Sequence, residues 1–108
     1  MAIKYKVLGQ SAPLATTLTD IYTVPASTES IVSTISASSR TLSSNIRIAV
    51  RPGGAPIADE HYIVHDVVVQ QFEALFLTVG ITLDTGDVIS VYNEVEEVSF
   101  SVFGSEIT

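Results

Sequence analysis

The dominant period along this chain is two. Ile3, Tyr5 and Val7 alternate with Lys4 and Lys6, which predicts a half-buried strand with a charged outer face. Residues 11–15 form a loop containing Pro13. Residues 18–24 make the next strand, with Tyr22 and Val24 on one face, and Pro25 ends it because proline has no N–H to give a ladder. Residues 26–29 turn. Residues 30–38 alternate again, Ile31, Ser33, Ile35 and Ala37 against Val32, Thr34 and Ser36, before a polar loop. Over residues 45–51, Ile46, Ile48 and Val50 point one way and Arg47, Ala49 and Arg51 the other. Pro52-Gly53-Gly54-Ala55-Pro56 cannot continue a ladder. Residues 61–69 are β-branched and long enough to bend or change sheet near Asp66, and residues 72–79 put Leu75, Leu77 and Val79 on one face. Asp84-Thr85-Gly86-Asp87 is a tight turn in which Gly86 is free to take positive φ. Residues 88–92 and 98–103 read as a closing hairpin around the acidic tip Asn93-Glu94, with 104–108 as a tail.

About eight short strands separated by turn signals, with no window of helical period, predict an all-β fold: a single antiparallel β-sandwich with Ig-like or jelly-roll connections. The 108 residues suffice for one domain spanning 1–108, with residues 1–8 an edge-pairing or exchanged strand. No linker or internal repeat divides it.

Composition sharpens this picture. Hydrophobic residues make up 46% of the chain and charged residues only 16%, where about 25% is usual. A small domain with so few charges is either a well-filled sandwich with a Ser/Thr-rich exterior or one whose surface a partner partly covers. All five basic residues fall in the first 54 positions against only Asp20 and Glu29, a balance of +3; the remainder carries −10, and the total is −7. If the fold keeps these halves apart, the molecule has a basic and an acidic side suited to head-to-tail contacts. The acidic total speaks against nucleic acid as a partner. Without a signal-peptide pattern or a bilayer-length apolar run, no membrane role is expected, and the chain is expected to be made in the cytoplasm of the cell that produces it.

Candidate chemistry is sparse. The chain lacks cysteine, which removes disulfides, thiolate metal sites and cysteine nucleophiles. His61 and His65 are four residues apart, which on a strand is about 13 Å, too far to share an ion held at about 2 Å per ligand. The carboxylate groups Asp59/Glu60, Asp84/Asp87 and Glu94/Glu96/Glu97 all sit in turns, where solvated acids belong. Gly53-Gly54 precedes no helix and is no phosphate loop. No catalytic, metal or cofactor residues are therefore assigned, and no enzyme is expected. Arg47 and Arg51 share a strand face, with His61 or Tyr62 expected on the next strand. With Lys4 and Lys6 on the first strand, these are the candidate partner-contact residues, set against the plainer reading of a solvated sheet.

Several segments together resemble a family of small structural proteins of phages, especially those of cyanobacteria and other aquatic bacteria. They are Val7-Leu8-Gly9-Gln10-Ser11-Ala12-Pro13, Leu18-Thr19-Asp20-Ile21-Tyr22-Thr23-Val24-Pro25, Ile46-Arg47-Ile48-Ala49-Val50-Arg51-Pro52, His61-Tyr62-Ile63, Gly80-Ile81-Thr82-Leu83, Asp87-Val88-Ile89-Ser90-Val91-Tyr92 and Phe100-Ser101-Val102-Phe103-Gly104-Ser105-Glu106-Ile107. The resemblance implies a place in a virion and no functional residues. Within that setting the expectation is a capsid decoration (cement) protein that binds the major capsid protein or other virion proteins as a homo-oligomer, a trimer being one form. The alternative is a tail fibre, collar or baseplate module touching the host. A free host-encoded binding domain is the third reading, disfavoured by high hydrophobicity without a visible ligand pocket. The first strand could add to a neighbour's open sheet edge, since that needs only unpaired main chain.

Overall fold

The computed structural model describes residues 2–108; residue 1 of the expected first strand lies outside them. The strands are β1 (Ile3–Ser11), β2 (Thr19–Thr23), β3 (Glu29–Ser39), β4 (Ser44–Arg51), β5 (Tyr62–Val69), β6 (Ala74–Leu83), β7 (Val88–Asn93) and β8 (Val98–Ile107). Two three-residue 3-10 turns, Pro52–Gly54 and Asp59–His61, lie between β4 and β5. The strands form two antiparallel four-stranded sheets, ordered β1-β8-β3-β6 and β2-β7-β4-β5.

That order decides between the two connections left open by the sequence. Strands pair as β1 with β8, β2 with β7, β3 with β6 and β4 with β5, as in one long hairpin whose tip is the β4–β5 turn. Rolling that hairpin up places alternate pairs in opposite sheets, which is the jelly roll. It also corrects the expected closing hairpin. β7 pairs with β2 and β4, whereas β8 crosses to lie between β1 and β3. Adjacent apolar runs can be read from sequence, but the sheet each joins is set by partners far along the chain. β8 also runs through Ile107, so the expected tail from 104 is strand, held by β1 on one side and β3 on the other.

The core is the space between the sheets, filled by Val32, Ile35, Ile46, Ile48, Ile89, Val91, Val98, Phe100 and Val102, each at most 1% exposed. The predicted inward faces of β4 and β6 hold: Ile46 and Ile48 are fully buried, and Leu75, Leu77, Val79 and Ile81 pack against the core. In β1 and β3 the alternation changes phase. The register slips between Val7 and Gly9 and between Val32 and Thr34, so Val7 points out while Leu8 packs inward, and both Val32 and Ile35 are buried. β6 carries a further extra residue at the same level, since Val32 pairs with Ile81 and Thr34 with Thr78. β8 is thus the straight strand, and its neighbours bulge around it. Gly104 makes this possible, because a Cβ there would stand 2.0 Å from the Ile31 carbonyl oxygen. The bend expected near Asp66 exists too. It is a bulge, with Asp66 at φ 56° unpaired between His65↔Arg47 and Val67↔Ile46, and the strand stays in its sheet.

Candidate interaction surface

The two outer faces of the sandwich differ in chemistry. On the β2-β7-β4-β5 sheet, Arg47 and Arg51 do share an outward face, but both are engaged within the molecule. The Arg47 guanidinium grips Asp66, Nε to Oδ1 at 2.7 Å and Nη2 to Oδ2 at 3.3 Å, and lies 4.6 Å from the centre of the Tyr92 ring. This fork holds the Asp66 carboxyl below its usual range and raises the Arg47 guanidinium further. The Arg51 Nη2 donates to Asp20 Oδ1 at 2.7 Å, its Nε to Ser90 Oγ at 3.1 Å, and its Nη1 to the carbonyls of Gly54 and Ala55 at 3.2 and 2.8 Å. With its side chain only 14% exposed, Arg51 is a clamp on the glycine turn rather than a free contact. Tyr62 pairs with Ala49, and its ring meets that of His65 edge-on at 4.9 Å. His61 is held in the 3-10 turn, where its Nδ1 accepts the Ala58 N–H at 3.0 Å. The residue directly opposite Arg47 is His65, since the bulge at Asp66 moves the pairing by one, and Tyr62, opposite Ala49, is near enough to add to the rise of the Arg47 guanidinium.

The predicted orientation of β1 is inverted. Lys4 and Lys6 lie in rows with Glu106, Ser30 and Leu83 and with Gly104, Val32 and Ile81, on the inner side of the sheet. The Lys6 Nζ reaches Glu106 Oε1 at 3.3 Å. Glu106 Oε2 accepts the buried Tyr22 hydroxyl at 2.7 Å, and that oxygen is 2.6 Å from Ser30 Oγ. This polar end of the core holds Lys6, and with that phase of β1 Ile3, Tyr5 and Val7 turn out, with Tyr5 83% exposed. Burial pushes the Tyr22 hydroxyl up to about 12, while the hydrogen bond from Tyr22 holds the Glu106 carboxyl below its usual range. Because Lys6, Arg47 and Arg51 each meet an acid and Arg40 donates to the Glu96 carbonyl, the basic and acidic halves of the sequence do not survive as two sides.

The outer face of the β1-β8-β3-β6 sheet is where the low charge of the chain is concentrated. Its rows run Ala74, Ser38, Ser99; then Phe76, Ser36, Ser101, Gln10; then Thr78, Thr34, Phe103, Val7; then Thr82, Ile31, Ser105, Tyr5. None of these residues is charged; the last row, Ile3, Ile107 and Glu29, adds one exposed carboxylate at the end of the face. Phe76 is 67% exposed, and Tyr5, Val7, Ile31 and Phe103 line a shallow open depression of about 490 Å³. The sequence shows each of these residues, but only the bulges and the strand order bring them onto one face. The surface is not a sign of loose packing. The total accessible area of 5669 Å² matches the roughly 5,800 Å² of a compact monomer of this mass.

No helix among the described residues is long and apolar enough to cross a membrane. Set beside known proteins, the chain matches no family model and no curated protein sequence.

Proposed function

We propose that this chain is a non-enzymatic structural component of a phage particle, a decoration protein that lies on the capsid shell. The observation that carries this reading is the charge-poor outer face of the β1-β8-β3-β6 sheet, where Tyr5, Ile31, Phe76 and Phe103 lie among serines and threonines and Glu29 at one end is the single charged residue of the strand rows. A charge-poor, partly apolar face is cheap to desolvate, and its aromatic rings are the residue types that anchor interfaces. The opposite sheet carries Arg47–Asp66 and Arg51–Asp20 on its outer side and suits the side that meets water. Sequence resemblance supplies the phage setting, and the jelly roll is an architecture used by capsid proteins as well as by lectins, so fold analogy alone does not select it.

Quantitative mass spectrometry of purified particles of the encoding phage tests the reading. A copy number near that of the shell subunit is the expected result. A ratio far below it moves the protein to the tail, as a fibre, collar or baseplate module, and complete absence from particles overturns the virion reading.

A further inference from the structure

The β1-β8-β3-β6 sheet has two open edges, and they are unlike. β6 is ten residues long, Ala-Leu-Phe-Leu-Thr-Val-Gly-Ile-Thr-Leu, with no charge, no proline and no strand on its far side. Long, uncharged edges are what soluble proteins normally protect, and here the extra residue between Thr78 and Ile81 lies beyond the stretch at Thr82 and Leu83. Its inward residues Leu75, Leu77, Val79 and Ile81 are only partly buried, so the flank beside β5 is unsealed. The β1 edge is closed over part of its length, since Gly9 is packed so tightly on β2 that a Cβ would stand 2.2 Å from the Ile21 carbonyl oxygen. Only residues 3–7 of β1, before the bulge, remain open.

From these edges we infer that copies of this chain join head to tail, residues 3–7 of β1 from one copy adding as a fifth strand alongside β6 of the next. The sense is right: the order β1-β8-β3-β6 is antiparallel throughout, so a following β1 lies antiparallel to β6 and the sheet continues unbroken. The register is defined by the rows already present. Lys4, Glu106, Ser30 and Leu83 are level, as are Tyr5, Ser105, Ile31 and Thr82, so an incoming Lys4 arrives at Leu83 and Tyr5 at Thr82. The charges agree as well. Lys4 is the one basic residue without a hydrogen-bond or ion-pair partner among the described residues, and exposed Asp84 follows Leu83 directly. The incoming Lys6 stem would cover the half-open Ile81, while Lys4 arrives beside buried Leu83 and its head reaches Asp84. The alternative of two β6 edges pairing about a two-fold axis brings the Glu73 end of each copy toward the Asp84 end of the other, with no basic residue in either strand to offset them. A heterologous contact of this kind closes into a ring or grows as a filament. The inference concerns how copies meet and does not depend on where they are used.

Cysteine cross-linking of the purified full chain tests it, helped by the absence of native cysteine. Within one chain Tyr5 and Thr82 stand on strands three spacings apart, about 14 Å, beyond disulfide reach. Across the proposed contact they are neighbours. The double variant Tyr5→Cys/Thr82→Cys is expected to form covalent ladders or rings under mild oxidation, with neither single variant doing so. Both positions are exposed, so folding is checked by an unchanged far-UV spectrum. As a second measurement, Lys4→Glu and Asp84→Lys should each weaken self-association in sedimentation equilibrium by about two- to fivefold, and together restore it. A chain that stays monomeric at every concentration overturns the inference. Covalent dimers from either single variant do so too, because they put like edges together. Presence in particles is read by a different experiment, so either result can fail alone.

Discussion

Tyr22 shows how one side chain ties distant strands together. Its hydroxyl, among buried surroundings, bonds Glu106 at 2.7 Å and sits 2.6 Å from Ser30 Oγ, linking β2 to β8 and β3 across the sandwich. Tyr22→Phe removes a bond to a charged acceptor and is expected to cost roughly 1.5–3 kcal/mol in denaturant unfolding. The pH dependence follows from the directions. With a native value near 12 against 10.0 for the free side chain, Tyr22 favours the folded state fully below pH 10, and this contribution is lost as pH rises toward 12. Glu106 is the reverse case. Its native value lies below 4.5, so its contribution is present above that pH and is lost as pH falls through the native value. Unfolding midpoints measured from pH 3 to 12 should therefore drop at both ends, with the alkaline drop reduced in Tyr22→Phe. Asn93 works in the same way. Fully buried, its side chain donates to the carbonyls of Pro13 and Leu14 and accepts the Val98 N–H. Sequence alone placed it at the tip of a turn, since an asparagine among acidic residues reads as solvated.

At the scale of elements, the bulges around β8 decide which residues face solvent. Val7/Gly9, Val32/Thr34 and the slip between Thr78 and Ile81 lie close together, so β1 and β3 change phase there while β6, which skips two residues relative to β8, keeps its own. Gly104 on β8 is the pivot of that change. Gly104→Ala forces the backbone of Ile31 away and is expected to destabilise by roughly 1–3 kcal/mol, more than the same change at Gly80, where a Cβ meets nothing within 4 Å. Thermal unfolding of the two variants checks the difference. Period-two reading located every strand but carried a fixed phase through residues 30–38, which put Ile31 and Ile35 on one face. A bulge is a single extra residue, and nothing in Ser33 itself marks it. The pattern was legible where strands pair without slips, as in β4 beside β7, where register runs unbroken from Ile46↔Asn93 to Arg51↔Val88.

For the whole molecule, the contrast is between the outer face of one sheet, which carries the Arg47–Asp66 and Arg51–Asp20 pairs, and that of the other, where Glu29 alone is charged. Interleaving of early and late strands brought Lys6 to Glu106 and Arg47 to Asp66, so the two-sided charge that separate halves would have given is absent. Self-association through the β6 edge should accordingly change less than about fivefold between 0.05 and 1 M salt, because exposed ion pairs contribute little and the remainder is main-chain pairing and apolar burial. Collapse of the assembly in 1 M salt would instead mean that charge holds it together. The sequence by itself determined that the domain is all-β, that it has about eight strands, and that Ile46, Ile48 and Leu77 face inward, because alternation and turn chemistry are local. It also showed, through the few charges, that some surface had to be uncharged. Only the tertiary structure decided which surface. Strand order, sheet membership and the bulges depend on contacts between residues as far apart as Ile3 and Ile107, and a one-residue slip in such a pairing turns a buried face into an exposed one.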